Sequence, residues 1–496
     1  MPRCGQSGAL QRYRAVNPAA SIVRCRCWTR FAVAQAVQWR DPGPEITGIW
    51  RMSAKLLLPV EVQNMKRMRL TLCFLIFTSA VTLALAATAA AQTVVVGTGN
   101  PHIDVPAVQA AVDRGGQVIL KGHFSFNRPP TIVPALPGYP LATVLVSKGV
   151  DISGTHDEEM TTIEGGTQPF EVEVRGSAVT IQGLRFVAPK RAAINVLAVS
   201  GLMIASCKIE GVKPLDFLSN GITITTTVNP PSPAQRGHPE WVSGTLLIAN
   251  NDINMAGGTS LDNTLGIIIF SAGVPEAEVE AYISGNTIRN STARSINLYQ
   301  IGGRAYIERN RITTTTIIGG ANIAFGRGTD VIHVTGTGLY LVAGNLVHSR
   351  WAAATGIRVQ GQFAEWPITG AVVVDNDVNM EAPEGAAFDD NSAAIDVRGY
   401  AEDNKVLNNR IRGRARAALV VAVNQPAVVA ANNRFVLNGL HEFDASLADV
   451  FVGEHVMNTL IVGQGTVEDH GVGTVIVPLP LKGDDKDRHD DEKDHR

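Results

Sequence analysis

Beyond residue 91 the chain carries a single cysteine, Cys207, so no disulfide can close within that stretch and stability has to come from packing and hydrogen bonds. Charged residues are scarce at 18% and aromatics at 6%, a balance that excludes a charge-driven disordered chain. The 48 glycines suit a long, turn-rich β protein instead. Basic residues are short in supply as well. Residues 1–91 hold 12 Lys+Arg and 3 Asp+Glu; removing these from totals of 43 and 45 leaves 31 basic against 42 acidic residues, a net charge of about −11. Neutralising phosphates needs a basic surface, so nucleic acid is not an expected partner. After residue 91 no apolar run is long enough to span a membrane.

The one such run, residues 65–91, starts basic with Lys66, Arg67 and Arg69 and ends in Ala-x-Ala at Ala89 and Ala91. It reads as a secretory signal peptide cleaved near Ala91, which makes a secreted or periplasmic protein the expectation. A permanent anchor is the alternative. Cys73 follows Leu72 and precedes most of the apolar run, which argues against lipidation. Residues 1–64 show no sustained period and are read as lying upstream of a true start at Met65, or as a cytoplasmic leader.

What the chain does have is a repeat. An apolar residue, two others, an Asn, one more residue and an apolar residue recur as IANNDI, ISGNTI, IERNRI, VAGNLV, VVDNDV, VLNNRI and AANNRF. The Asn positions are Asn251, Asn286, Asn310, Asn345, Asn376, Asn409 and Asn433. A coil that turns sharply at each Asn would let the side-chain amide bond its stacked neighbours one strand spacing, about 4.8 Å, away. Earlier copies put Cys207 and Leu184 in the Asn place, so Cys207 is read as a small buried substitute and not a reactive thiol. Between successive Asn positions lies another strand, usually led by a small residue: GITIT, GIIIF, SINLY, GIRVQ, AIDVR and AALVV. Three strands per coil, in register between coils, predict an all-β, right-handed single-stranded parallel β-helix with three parallel sheets.

The Asn ladder, the G-I-x-φ strand and the opening AVQAAVDRGGQVILKGHFSF at residues 107–126 resemble the pectin-lyase-like superfamily of secreted β-helix proteins. The resemblance implies a short N-terminal capping helix, here about Val105 to Arg114, ahead of the first coil. It divides the chain into 92–150 for cap and first coil, 151–477 for the β-helix, and a charged, disordered tail at 478–496. The His and Asp of that tail offer weak metal binding or a plain solubilising face.

The resemblance also implies that ligand lies along the outer face of the G-I-x-φ sheet. Alternation gives two outward columns there: Thr223, Ile268, Asn297, His333, Arg358, Asp396 and Val420, then Thr225, Phe270, Tyr299, Thr335, Gln360, Arg398 and Ala422. VIHVT competes with IAFGR for one strand, and VIHVT leaves the shorter return to the next ladder position. His333, Arg358, Asp396 and Arg398 are the candidate catalytic residues, with His333 or Arg358 as base and Arg398 neutralising charge. Asn297, Tyr299, Gln360, Trp366, Asp389 and Asp390 are candidate substrate contacts. Asp389 and Asp390 read as an acid pair, a Ca²⁺ ligand pair or a turn, and Trp351 and Trp366 as sugar-stacking or packing groups. The plain alternative is a solvated face of cross-strand ion pairs.

Departures from the family's enzymes are equally informative. The pectin-hydrolase subgroup carries N-T-D, D-D, G-H-G and R-I-K in order; here DD comes late, GHP stands at 237–239, and R-I-K is missing. No calcium-dependent pectate-lyase string is present, so no metal or other cofactor is assigned. The segment NPPSPAQRGHPEW reads as a rigid lid or plain insertion. The expected function is binding of polysaccharide or a cell-surface partner, with a lyase, epimerase or glycosidase acting on an acidic glycan as the alternative. Oligomeric state is open.

Overall fold

The computed structural model describes residues 92–128, 142–155, 159–212, 218–225, 238–255, 263–314, 329–351 and 354–478, with short gaps at 363, 365–366, 383, 386, 389, 391, 424–428 and 438–439. The signal-peptide segment, residues 1–64, the charged tail from residue 479, Trp366 and Asp389 lie outside the described residues.

Strand follows strand, and each pairs in parallel with the strand one coil on, so the chain is a β-helix with three stacks of strands. The leading sheet carries the chain toward each Asn corner, as in Val279–Ser284 paired with Gly303–Glu308. The following sheet leaves the corner, as in Thr287–Arg289 paired with Arg311–Thr313. The middle sheet is the G-I-x-φ sheet, with Arg294–Ile301, Thr329–Thr335, Ala354–Gly361 and Ala393–Gly399 in succession. Parallel crossovers of this kind coil right-handedly.

Because every coil repeats the same register, like side chains stack into columns. Ile222, Ile267, Ile296, Ile332, Ile357 and Ile395 form one in the middle sheet, and all are fully buried. Ile253, Ile288, Ile312, Val347 and Val378 form another in the following sheet. Burying each such side chain contributes about 1.5–3 kcal/mol, which is how the described residues hold together without a disulfide among them. Among the described residues Cys207 is the sole free cysteine.

The cap is a helix over Pro101–Val112, four residues earlier at its start than the sequence reading placed it. Asn100 explains the shift: its side chain accepts from the His102 N–H, and Pro101 takes the first helical position, where its missing N–H is harmless. Asp104 is buried yet fully used, accepting from Thr98 N–H, Thr98 Oγ1 and Ser125 N–H, each at 2.8 Å, which fastens the cap to the first coil.

The ladder runs through six of the seven Asn residues. Asn345 is typical: its amide donates to Asn376 Oδ1 at 2.9 Å and to the Ile307 carbonyl at 2.8 Å, while its oxygen accepts from Asn310 Nδ2 at 2.9 Å. Asn251, Asn286, Asn310, Asn376 and Asn409 continue it. Cys207 occupies the next rung, its N–H donating to Asn251 Oδ1 at 2.9 Å, and burial pushes its thiol up to about 12. The residue before each rung has a positive φ, including Ser206, Asn250, Arg309, Asp375 and Asn408, so the corner itself is a left-handed residue followed by the Asn.

Asn433 departs from the sequence reading. It stacks on Asn404, which donates to it at 3.0 Å, and Asn404 in turn accepts from the Ala371 N–H at 2.9 Å. The reason is register. YAEDNKVLNNRI holds two overlapping copies of the corner pattern, and Lys405 pairs with Arg434, which puts Asn433 opposite Asn404 and not Asn409. The late coils have a second corner, preceded by a small four-stranded sheet that includes Ile368–Thr369 and Ala401–Glu402.

Two outcomes follow for unfolding experiments. Asn345→Ala strands the Asn310 amide and the Ile307 carbonyl in the core and should lower stability by on the order of 3 kcal/mol in urea denaturation. In double-mutant cycles Asn433→Ala should couple to Asn404→Ala and add independently to Asn409→Ala; the reverse pattern would refute the second corner.

Candidate functional site

On the outer face of the middle sheet, hydrogen-bond register sets the first column in the expected order. Thr223 pairs with Ile268, Ile268 with Asn297, Asn297 with His333, His333 with Arg358, Arg358 with Asp396 and Asp396 with Val420. VIHVT is the strand that carries His333. The second column likewise runs Phe270, Tyr299, Thr335, Gln360, Arg398 and Ala422.

The first column is buried, which the picture of a solvated face did not anticipate. Asn297, His333, Arg358 and Asp396 are each at most 4% exposed. Further along the same face Ala393, Ala417 and Val420 form a small apolar cluster of their own, apart from the solenoid core. Tyr299, Gln360 and Arg398 are half-buried and make a rim.

Asp396 lies between two guanidinium groups. Arg358 Nε and Arg398 Nε each sit 3.0 Å from its Oδ2. Arg358 Nη2 also donates to Thr355 Oγ1 at 2.7 Å, and Arg398 Nη2 to the Asp390 carbonyl at 2.8 Å. Such charge-assisted bonds in a dry setting fix the arginines in place, and a carboxylate so engaged acts as a holder of cations. Asp390 itself is exposed and pairs with Arg416. At the rim Tyr299 stacks on Phe270 with centroids 4.5 Å apart and planes 17° off parallel, and burial raises its phenol above the usual range. Trp351 is 1% exposed within the core cluster, so it is a packing residue.

Sequence reasoning missed the upstream end of the column. Leu145 pairs with Glu171, Glu171 with Asn195 and Asn195 with Thr223. Phe170 and Val172 point inward in QPFEVE, and that alternation would have exposed Glu171 as an outward residue; the strand was passed over because no small residue leads it and no Asn rung precedes it. Glu171 is fully buried, and neither carboxylate oxygen has a hydrogen-bond partner of ordinary geometry. Burial pushes its pKa from 4.5 up to about 7, helped by the nearby Glu173 charge and opposed by the Asn195 amide and Arg191. Around it Thr143 Oγ1, Gln168 Oε1, Ser219 Oγ, Asn220 Oδ1 and Thr223 Oγ1 are also buried without a partner, as is Asn297 Oδ1 downstream. Each such group costs about 1–3 kcal/mol. At the ends of these strands Trp241 carries the Arg175 guanidinium at 3.8 Å and the His238 ring at 3.9 Å. The described end of the Pro-rich segment is thus a packed turn, Pro239–Trp241.

Stacked parallel strands, an Asn ladder and a helical cap are now in view together. The fold is that of a parallel β-helix. No family model and no curated protein matches the chain. Among solved structures, the A-module of a mannuronan C-5 epimerase from Azotobacter vinelandii is similar at 15% identity, covering 77% of this chain and 98% of that one with a TM-score of 0.34. A surface adhesin of Streptococcus pneumoniae is similar at 13% identity over 80% and 92% with a TM-score of 0.43. The tailspike protein of Escherichia coli bacteriophage HK620, in complex with pentasaccharide, is similar at 11% identity over 76% of each chain with a TM-score of 0.42. At these scores and identities the likenesses carry neither an activity nor a site residue across to this β-helix. Among the described residues no group of three or more His, Cys, Asp or Glu is placed to hold a metal ion, and no helix is long and apolar enough to cross a membrane.

Two measurements test this geometry. Arg358→Ala removes one of the two cations on a buried carboxylate and should lower stability by about 3–5 kcal/mol, with Arg358→Lys recovering little of it because the two-sided bonding is lost. Glu171 should make stability fall with rising pH. Its folded pKa is raised, so between pH 4.5 and about 7 the unfolded chain has released a proton that the folded chain still holds. The resulting penalty is on the order of 3 kcal/mol and is complete above that window. Glu171→Gln removes it, so the stability gap between variant and parent should open across the window and then stay constant; parallel urea-stability profiles would contradict the raised pKa.

Proposed function

We propose that this β-helix binds an acidic polysaccharide along the outer face of its middle sheet, with Arg358 and Arg398 facing the carboxylates of the glycan. One observation supports it most directly. A β-helix needs only a solvated outer face, yet this face holds a line of buried polar side chains that includes two arginines on one aspartate. Buried polar groups arranged this way are kept at a stability cost, which is the mark of a binding surface. Asn297 Oδ1 and Thr335 Oγ1, both buried without partners, would meet sugar hydroxyls, and the Phe270–Tyr299 platform would take a ring face. His333, Asp396 and Gln360 complete the set, with His333 adjacent in register to Arg358.

Binding is favoured over chemistry at this end of the column because the Asp396 carboxylate is held by both arginines and Asp390 by Arg416. The catalytic alternative, a lyase, epimerase or glycosidase, keeps His333 and Arg358 as its proton-transfer groups. Export belongs to the same reading: the 65–91 segment would direct the chain out of the cytoplasm, where polysaccharide is met.

The experiment is incubation of the purified chain with uronate-containing and neutral polysaccharides, read by affinity electrophoresis, unsaturated-product absorbance, reducing ends and epimer composition. Retardation by an acidic glycan, weakened by Arg398→Ala, with no product, is the expected result. Product from any substrate would replace binding with catalysis, and absence of both would end the glycan reading. Sequencing of the exported protein should find Gln92 at its N-terminus.

A further inference from the structure

The upstream end of the same face differs in chemistry from the arginine end. Gln168, Glu171, Asn195, Asn220 and Thr223 come from three strands in register, Gln168–Glu173, Ala192–Ala205 and Leu218–Thr225. Ile268 separates them from Asn297 and the charged residues beyond. None of these five is a cation. Gln168 Oε1, Asn220 Oδ1 and Thr223 Oγ1 are buried, and among the described residues they find no hydrogen-bond partner; the buried Glu171 carboxyl has the Asn195 amide beside it. Carboxyl, amide and hydroxyl groups concentrated over so short a reach, all closed to bulk water, are complementary to a ligand that offers many hydroxyls and no charge.

We propose that this patch is a second carbohydrate site, distinct from the arginine end, and that it takes an uncharged, hydroxyl-rich segment such as a neutral hexose or pentose unit. Charge supports the choice of ligand. Glu173 repels a uronate, whereas the buried Glu171 carboxyl, on which the Glu173 and Arg191 charges both act, donates and accepts toward a sugar hydroxyl when protonated. The two ends then read different parts of a glycan: hydroxyls upstream, carboxylates downstream. The Arg175–Trp241–His238 stack stands beside the strand ends that carry the patch.

The test is calorimetric titration of the purified full chain with cellohexaose, maltohexaose, mannohexaose and xylohexaose, and in parallel with oligogalacturonate and oligomannuronate. At least one neutral probe should bind. Thr223→Val and Asn220→Ala should each weaken that binding by about tenfold, the effect of one hydrogen bond to a desolvated group. Glu171→Gln, whose amide also donates and accepts, should keep the binding and abolish its decline as pH rises through about 7. Melting temperatures provide the control: Thr223→Val, which removes a buried unpartnered hydroxyl, should melt no lower than the parent. Failure of every neutral probe on the folded parent chain overturns the proposal. So does neutral binding that Thr223→Val and Asn220→Ala leave intact. The oligouronate arm reports on the arginine end separately, so either reading can fail without the other.

Discussion

Parallel hydrogen bonding between successive coils, at one strand spacing, is the constraint on which everything else rests. It forces each residue to lie over its counterpart in the coil before, so any property a position has is repeated along an axis. Inward positions become continuous Ile and Val columns. The corner becomes an Asn ladder, because an amide that both donates and accepts can satisfy its neighbours above and below without end. The ladder in turn tolerates Cys207, whose main-chain N–H still reaches Asn251 Oδ1.

The same constraint makes the outer face of the middle sheet a line and not a scatter. Polar residues one coil apart are close enough to share partners, as Arg358 and Asp396 do. In a buried column that proximity has opposite effects at the two ends. Downstream, opposite charges meet and bind one another. Upstream, burial outweighs the Asn195 amide and the Arg191 charge and raises the proton affinity of Glu171. One face therefore carries paired charges at one end and buried uncharged polar groups at the other.

Much of this was legible in the sequence because the repeat encodes register directly. The spacing of the Asn corners and the alternation of the strands between them set Asn297, His333, Arg358 and Asp396 over one another, and VIHVT is the strand that carries His333. Asn433 was placed on Asn409 because the corner pattern looks the same at Asn404 and Asn409; only the pairing of Lys405 with Arg434 separates them. The apolar period begins only at Val105, whereas the helix begins earlier because Asn100 caps it and Pro101 fits its first turn. Glu171 was passed over because its strand lacks the leading small residue by which the others were recognised.

The sequence by itself determined the coil, the ladder and which residues share a column, since period-two alternation and corner spacing are local properties. Burial, the two-arginine clasp on Asp396 and the raised proton affinity of Glu171 were decided only by the tertiary structure. Whether an outward residue meets water or protein depends on what packs across it from distant coils, and that information is not carried in any single repeat.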